Sequence, residues 1–318
     1  MTAKKWRISV IVPTHDRPAE LATAVESLLR QTRKPDELIV INDGTAQVET
    51  TLARRVRSAG VKFINRRRDV PSSAASRNCG LELAGGDVAV LLDDDVEAPP
   101  DFLSRLESLY QADPQAIVAG ICGRYVDPVP PPWTQRLWVA LAAALAENRW
   151  APRVSLARYV CLSHPLAVRL KPAWRFVGGI MSLRREIYKE YKFTEAFSGY
   201  GLAEDTELSF RLGSKHALFL APELTVLHHK AAGGRPDPFR RGEVYVAHML
   251  YIARHSVQGG AGTWLLLGYH LAGMILLASA WSLLSWRRHN WQLACGMAEE
   301  LCTQMGRAAW RALCSCGC

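Results

Sequence analysis

The chain has 318 residues, 49% of them hydrophobic and 22% charged, enough for one large domain or two smaller ones with a sizeable core. Its formal net charge of +9 points to anionic partners such as nucleotide-sugars or an anionic membrane face. A nucleic-acid partner is not expected, because no patterned arginine and aromatic module is present.

The first residues, Met1 to Trp6, lead directly into a strand-like run without the apolar core of a signal peptide. Ile8 to Val12 reads as a buried strand ended by Pro13. Pro18 opens a helix whose Leu21, Val25, Leu28 and Leu29 share one face. Glu37 to Asn42 is a second strand, Leu52 to Ser58 a helix stopped by Gly60, and Val61 to Ile64 a third strand. Arg66, Arg67 and Arg68 then fall just past that strand, where a basic run is a solvated loop or a phosphate contact. Ala74 to Ala84 is helical, closed by Gly85 and Gly86, and Val88 to Leu92 is a fourth strand. Continuous apolar strands separated by helices argue for a parallel α/β sheet covered on both faces. Ligands of such sheets bind beyond the carboxyl ends of the strands. His15-Asp16-Arg17, Asn42-Asp43-Gly44 and Asp93-Asp94-Asp95 all fall at those ends.

Three consecutive carboxylates concentrate negative charge on one loop, which is costly unless a cation joins them. Oxygen ligands with room for water suit Mg²⁺ or Mn²⁺, ions that bind together with a substrate phosphate. The run alone also reads as a solvated acidic turn.

Beyond it, Pro128, Pro130, Pro131 and Pro132 make a stiff loop, followed by an apolar, tryptophan-flanked helix over Trp133 to Trp150 that suits a core or a lipid surface. Arg175 to Leu183 reads as a strand carrying the pair Gly178 and Gly179, where a ligand can approach the backbone. Glu204 and Asp205 open a helix, where the helix dipole stabilises acids. Residues 263–286 contain no Asp, Glu, Lys or Arg and are long enough to span a bilayer. Trp264, Tyr269, Trp281 and Trp286, with Arg287 and Arg288 after them, suit a membrane interface. A single span from the cytoplasm would place those arginines outside, against the positive-inside rule; a helix lying in the interface, or a hairpin with part of Trp291 to Leu313, avoids that conflict. The eight cysteines are expected as thiols, and Cys314, Cys316 and Cys318 lack the C-x-x-C spacing of zinc sites.

Taken in order, Val10 to Arg17, Asn42 to Thr45, Arg77-Asn78-Cys79-Gly80, Leu92 to Asp95, Gly178-Gly179 with Arg184-Arg185-Glu186, and Glu204-Asp205 resemble the motif series of the family-2 glycosyltransferases. The resemblance covers roughly Arg7 to His255. It implies an A-type nucleotide-sugar transferase fold, a Rossmann-like mixed α/β sheet flanked by helices, followed here by a hydrophobic, membrane-associated helical tail. The implied division is a catalytic region over 1–240, with a nucleotide-binding half over about 1–125 and an acceptor half over about 126–240, and a helical region over 241–318. By the same resemblance Pro13, Thr14, Arg17, Asp43, Arg77 and Asp93 would bind the nucleotide. Asp95, Asp93 and His228 would hold Mn²⁺ or Mg²⁺, with His229 the alternative to His228. Gly178, Gly179 and Glu204 would serve sugar and acceptor, and Asp205 would be the catalytic base.

The sequence departs from the family pattern at Asn42, Ile180 and Phe193-Thr194-Glu195, and no Gln-x-x-Arg-Trp follows Glu204-Asp205. Transfer of one sugar, rather than polymerisation, is therefore implied. The donor would be a nucleoside-diphosphate sugar, UDP favoured, the acceptor a saccharide or lipid-linked hydroxyl, and the location the cytoplasmic face of the cell membrane. The rivals are a sugar-phosphate nucleotidyltransferase, which would want a glycine-rich loop where Pro13 to Arg17 stands, and an inactive nucleotide-sugar-binding membrane scaffold.

Overall fold

The computed structural model describes residues 6–128, 133, 136–137, 140–141, 169–173, 175–197, 201–231, 236–257, 260–285 and 288–315. Most of the expected helix over Trp133 to Trp150, the proline loop after Pro128, Trp286, Arg287, Cys316 and Cys318 lie outside these residues. The described residues divide into two compact units, one within 1–129 and 154–233, the other within 130–153 and 234–318.

The first unit alternates as its apolar runs dictate: β1 (Ile8–Thr14), α1 (Pro18–Leu29), β2 (Glu37–Asn42), α2 (Thr50–Ser58), β3 (Lys62–Arg67), α3 (Ser73–Leu83) and β4 (Val88–Leu92). Then come β5 (Val96–Glu97), α4 (Phe102–Gln111), β6 (Val118–Val126), β7 (Lys171–Pro172), β8 (Ile180–Arg184), α5 (Arg185–Glu190), α6 (Glu204–Gly213) and β9 (Ala217–His228). The strands form one sheet of order β3-β2-β1-β4-β8-β6-β9-β5, with β7 paired to β9. β3, β2, β1 and β4 are mutually parallel. β8 runs antiparallel to β4 and to β6, and β6 runs parallel to β9. The sheet is thus mixed, as the resemblance implies, and the four strands expected in the first hundred residues are parallel, as their apolar runs imply.

Two other expectations shift. Arg66 and Arg67 lie inside β3, not after it. As the outermost strand of the sheet, β3 needs no apolar run, and its last three residues are exposed. Gly178 and Gly179 lie in a turn ahead of β8 rather than within a strand. Gly60 ends α2 as expected, at φ +77°.

The core is made where central strands are apolar throughout: Val10, Ile11 and Val12, Leu38 to Ile41, and Val88 to Leu92 are buried. α1 covers part of this sheet with Leu21, Val25 and Leu28. α3 lies so near β1 that a Cβ on Gly80 would come within 2.3 Å of Ile11 Cγ2.

One charged pair is embedded here. The Arg184 guanidinium donates to Asp113 Oδ2 at 2.7 Å and to the Val118 carbonyl at 2.6 Å. The side chains are 4% and 0% exposed, so the pair is fully shielded from water. Removing one partner strands the other charge, and Asp113→Ala is expected to cost about 3–5 kcal/mol, read as a lower urea midpoint of unfolding.

The second unit contains three long helices: α7 (Pro238–His255), α8 (Ala261–Ser285) and α9 (Arg288–Ser315). α9 packs on both α7 and α8. The α7–α9 crossing is close. A Cβ on Gly296 would lie 2.0 Å from the Phe239 carbonyl oxygen, and one on Gly242 would lie 2.3 Å from that of Leu293.

Candidate active site

Parallel strands bring their carboxyl ends to one edge, and the polar clusters meet there. Asp43 follows β2, and its N–H donates to the Thr14 carbonyl at 3.2 Å. Its Oδ2 accepts from the Ser72 N–H at 2.9 Å and the Ser76 hydroxyl at 2.8 Å. Its Oδ1 lies 3.0 Å from His15 Nδ1. The adjoining loops are clasped by Asp16, whose Oδ1 accepts from the Thr45 and Ala46 N–H groups at 2.6 and 2.7 Å. The Ala46 N–H, then Thr45, hold this carboxyl below its ordinary value. Asp16 has φ +52°, and a Cβ at Gly44 would fall 2.5 Å from the Asp16 nitrogen, so this turn requires glycine.

The three aspartates after β4 take three different environments. Asp94 is buried, accepting from the Thr14 hydroxyl at 2.8 Å and from Arg17 Nη1 at 3.2 Å. Burial pushes its carboxyl up to about 6 even so. Asp95 Oδ1 lies 3.4 Å from His228 Nε2, and its Oδ2 accepts from the Ala231 N–H at 3.0 Å. Burial acts to raise this carboxyl, yet the contacts with His228, the Ala231 N–H and Arg17 bring it below its ordinary value. The pairing of β5 with β9 causes the meeting, because Val96 stands opposite His228. His229 goes instead to Glu97, at 3.5 Å.

Asp93 faces the other way. It accepts from Arg77 Nη2 at 3.0 Å and from the Tyr125 hydroxyl at 2.9 Å. The Tyr125 ring stacks on His228, with centroids 4.3 Å apart. Tyr125 thereby joins Asp93 to the Asp95–His228 pair, and burial followed by the neighbouring Asp93 charge keeps its phenol neutral.

Arg77 also pairs with Glu204, which accepts a hydrogen bond from the Ser73 hydroxyl at 3.0 Å. Burial raises the Glu204 carboxyl to about 7 against the pull of Arg77, and the adjacent Asp205 charge adds to the rise. Arg77 itself stays charged, because Glu204, Asp93 and Asp205 outweigh its desolvation. Arg77 therefore sits on the Asp93–Glu204 side. Successive helix residues lie about 100° apart, so Ser76 reaches Asp43 and Arg77 looks to the next face.

Asp205 is only partly buried, unlike Glu204. Its Oδ2 accepts from the Gly178 N–H at 3.0 Å and its Oδ1 from the Thr206 N–H at 2.7 Å. Gly179 closes the join: its carbonyl accepts from the Asp93 N–H at 3.3 Å, and a Cβ there would lie 1.9 Å from Asp93 Oδ2 and 2.1 Å from the Tyr125 hydroxyl. Gly179→Ala is expected to displace both groups and weaken nucleoside-diphosphate binding at least about tenfold, or ~1.4 kcal/mol, in calorimetric titration.

The structure thus brings Thr14, Arg17, Asp43, Arg77, Asp93, Asp95, Gly178, Gly179, Glu204, Asp205 and His228 into one connected region, with Pro13 in β1 beside it. Tyr125, Ser72, Ser73 and Ser76 join them and were not expected, and Asp94, expected only as one of three consecutive carboxylates, joins through Thr14 and Arg17. Among the described residues no three or more His, Cys, Asp or Glu side chains converge as a metal cage. Asp95 and His228 offer an oxygen and an imidazole side by side, a donor set compatible with Mn²⁺ completed by phosphate and water. The Asp93 carboxylate is engaged by Arg77 and Tyr125 instead.

Comparison with known proteins agrees with this architecture. A validoxylamine A glucosyltransferase of Streptomyces hygroscopicus subsp. limoneus is 26% identical over 215 residues, covering 64% of this chain and 47% of that protein. A glucosyl-dolichyl phosphate glucuronosyltransferase of Haloferax volcanii is 30% identical over 116 residues, covering 36% and 37%. The chain spans about half or less of the length of these relatives. Among solved structures, the mannosyltransferase PcManGT of Pyrobaculum calidifontis, in complex with GDP-Man and Mn²⁺, superposes with a TM-score of 0.57 at 16% identity, over 94% of this chain and 88% of that one. Residues 1–349 of S. aureus TarS give a TM-score of 0.54 at 15% identity, over 85% and 72%. These likenesses establish the A-type nucleotide-sugar transferase fold. The sequence profile of glycosyl transferase family 2 matches residues 9–192, more than half of the chain, which therefore belongs to that family.

Proposed function

We propose that this chain is an inverting, metal-dependent glycosyltransferase that moves a single sugar from a nucleoside-diphosphate sugar, UDP favoured, to a hydroxyl acceptor. In this reading residues 1–240 are catalytic, and the acceptor is a saccharide or lipid-linked precursor met at the cytoplasmic face of a membrane, with residues 241–318 as the membrane-associated part. The observation that carries the proposal is the unbroken set of contacts running from Asp205 through Gly178 and Gly179 to Asp93, Tyr125, His228 and Asp95.

The residues divide the work. Asp43 keeps part of Oδ1 available to accept from the nucleoside base, its other oxygen being held by Ser72 and Ser76. Thr14 and Arg17, fixed by Asp94, line the nucleoside and diphosphate, with Pro13 shaping that loop. Asp95 and His228 would hold a Mn²⁺ or Mg²⁺ ion, which when bound neutralises charge developing on the departing diphosphate, an effect of several kcal/mol. Asp205 takes the proton of the acceptor hydroxyl as its oxygen bonds to the anomeric carbon. The bond from that carbon to the diphosphate oxygen breaks, and its electron pair leaves with the diphosphate. Attack opposite the leaving group needs only one base, which contributes roughly 10²–10⁴ in rate. Glu204 orients this end through Arg77.

The test is to incubate the full chain with Mn²⁺ and a panel of UDP-, GDP- and dTDP-sugars and follow phosphate products. Release of nucleoside diphosphate with an inverted anomer supports the reading. Release of pyrophosphate from sugar phosphate and nucleoside triphosphate would replace it with nucleotidyl transfer, and silence with every donor would favour an inactive binding protein.

A further inference from the structure

The helical unit contains a surface that the proposed chemistry does not use. Helix α8 is about 37 Å long and its sequence carries no Asp, Glu, Lys or Arg. By length and composition it is the one helix among the described residues apolar enough to cross a membrane. Its faces differ in partner, not in polarity. Leu267, Leu271 and Ala278, at helical spacing, are buried. On the opposite side Leu265, Tyr269, Leu276 and Leu283 recur at intervals of four and seven and stand exposed, Leu265 at 75%, Leu276 at 70%.

The neighbours of α8 decide how this side meets lipid. Only residues 286 and 287 separate α8 from α9, and α9 packs back on both α8 and α7. A crossing α8 would carry these companions into hydrocarbon. α9 holds Arg288, Glu299, Glu300 and Arg307, and α7 holds Arg240, Arg241, Glu243 and Arg254. Charged side chains at that depth are costly, and the close Gly242–Gly296 crossing packs α7 and α9 backbone against backbone, a contact that separating them would forfeit. The bundle as a whole, rather than any single helix, is amphipathic: apolar on the outer side of α8, charged on the other two helices.

We propose that α8 lies along an anionic bilayer surface, with Leu265, Tyr269, Leu276 and Leu283 in the acyl boundary, and does not span it. Three features single out lipid as the occupant. From its first described residue to its last, α8 supplies no charged side chain to the edge of this side, whereas the edge of a contact between protein copies is ordinarily polar. Trp264 and Trp281 stand near the two ends of the helix, where aromatic rings suit an interface. Residues 234–318 hold eight arginines against four acidic residues, an excess that attracts anionic headgroups. The inference rests on the membrane association proposed above and refines it.

Cys302 on α9 is exposed and reports the side of the membrane on which α9 lies. The full chain would be expressed in bacteria and treated with a membrane-impermeant maleimide, with the Cys302-bearing peptide followed by mass spectrometry. Labelling in inverted membrane vesicles but not in intact spheroplasts is expected. Labelling in spheroplasts alone would mean that α8 crosses, overturning this placement while leaving membrane association in force. Binding of the purified chain to phosphatidylcholine–phosphatidylglycerol vesicles is expected to fall at least tenfold in Leu276→Glu. Absence of vesicle binding by the unaltered chain, or a concentration-dependent dimer that Leu276→Glu dissolves, would overturn the lipid assignment. Neither measurement requires sugar transfer, so each outcome is separable from the fate of the transferase reading.

Discussion

Asp205→Asn is expected to reduce sugar transfer by about 10²–10⁴ while nucleoside-diphosphate affinity stays within about twofold of the unaltered chain. The amide keeps the shape, but its single oxygen accepts from only one of the Gly178 and Thr206 N–H groups, which Asp205 serves with separate oxygens, so one of these two contacts is given up. What it loses is the ability to take a proton. Steady-state transfer and calorimetric donor binding, measured on the same preparation, check the two halves of this expectation. A variant that transfers at the normal rate would remove Asp205 from the base role. Glu204 is the neighbour most easily confused with it. Its carboxyl is buried and paired with Arg77, so Glu204→Gln is expected to disturb positioning and folding together rather than proton transfer alone.

Asp95→Ala is expected to abolish the Mn²⁺-dependent part of nucleoside-diphosphate binding, a loss of at least about tenfold or ~1.4 kcal/mol, and to leave the metal-free affinity nearly unchanged. Titration with and without Mn²⁺ reads both. Three further effects accompany the substitution: the His228 imidazole loses its carboxylate partner, the Ala231 N–H loses its acceptor, and Arg17 loses one of its two aspartate neighbours. His228→Ala is therefore the companion variant. If Asp95 and His228 act together on the ion, their double variant falls short of the sum of the single losses. Unchanged Mn²⁺-dependent affinity in Asp95→Ala would count against the assignment.

Much of the first hundred residues was legible because β1, β2 and β4 are buried on both faces, and such strands must be apolar throughout. Glu37–Asn42 and Val88–Leu92 appear with the bounds their apolar runs suggest. β3 was less clear, because a border strand tolerates Arg66 and Arg67, which read from sequence as a loop. The mixed half was harder still. β6 ends in Gly123-Arg124-Tyr125-Val126, which carries no motif, yet Tyr125 becomes the link between Asp93 and His228. Only the pairing of β6 with β8 and β9 brings it there, and strand pairing across long sequence separations leaves no local mark. Which of His228 and His229 lies against Asp95 likewise follows from the register of β5 against β9. Gly178 and Gly179 were recognisable as places of close approach, but the approaching groups proved to be Arg77, Asp93 and Tyr125.

The seam between β4 and β8 has an evolutionary consequence. There the parallel half of the sheet meets the mixed half, and the Asp93–Gly179 contact ties one to the other. On the proposed reading, substitutions at that seam would disturb the Asp95–His228 side and the Asp205 side at once, so selection should hold it nearly fixed. Segments remote from it, such as α2 and the outermost strand β3, are free of that double duty. Divergence among descendants of this chain should accumulate in them first, while the seam itself is inherited intact.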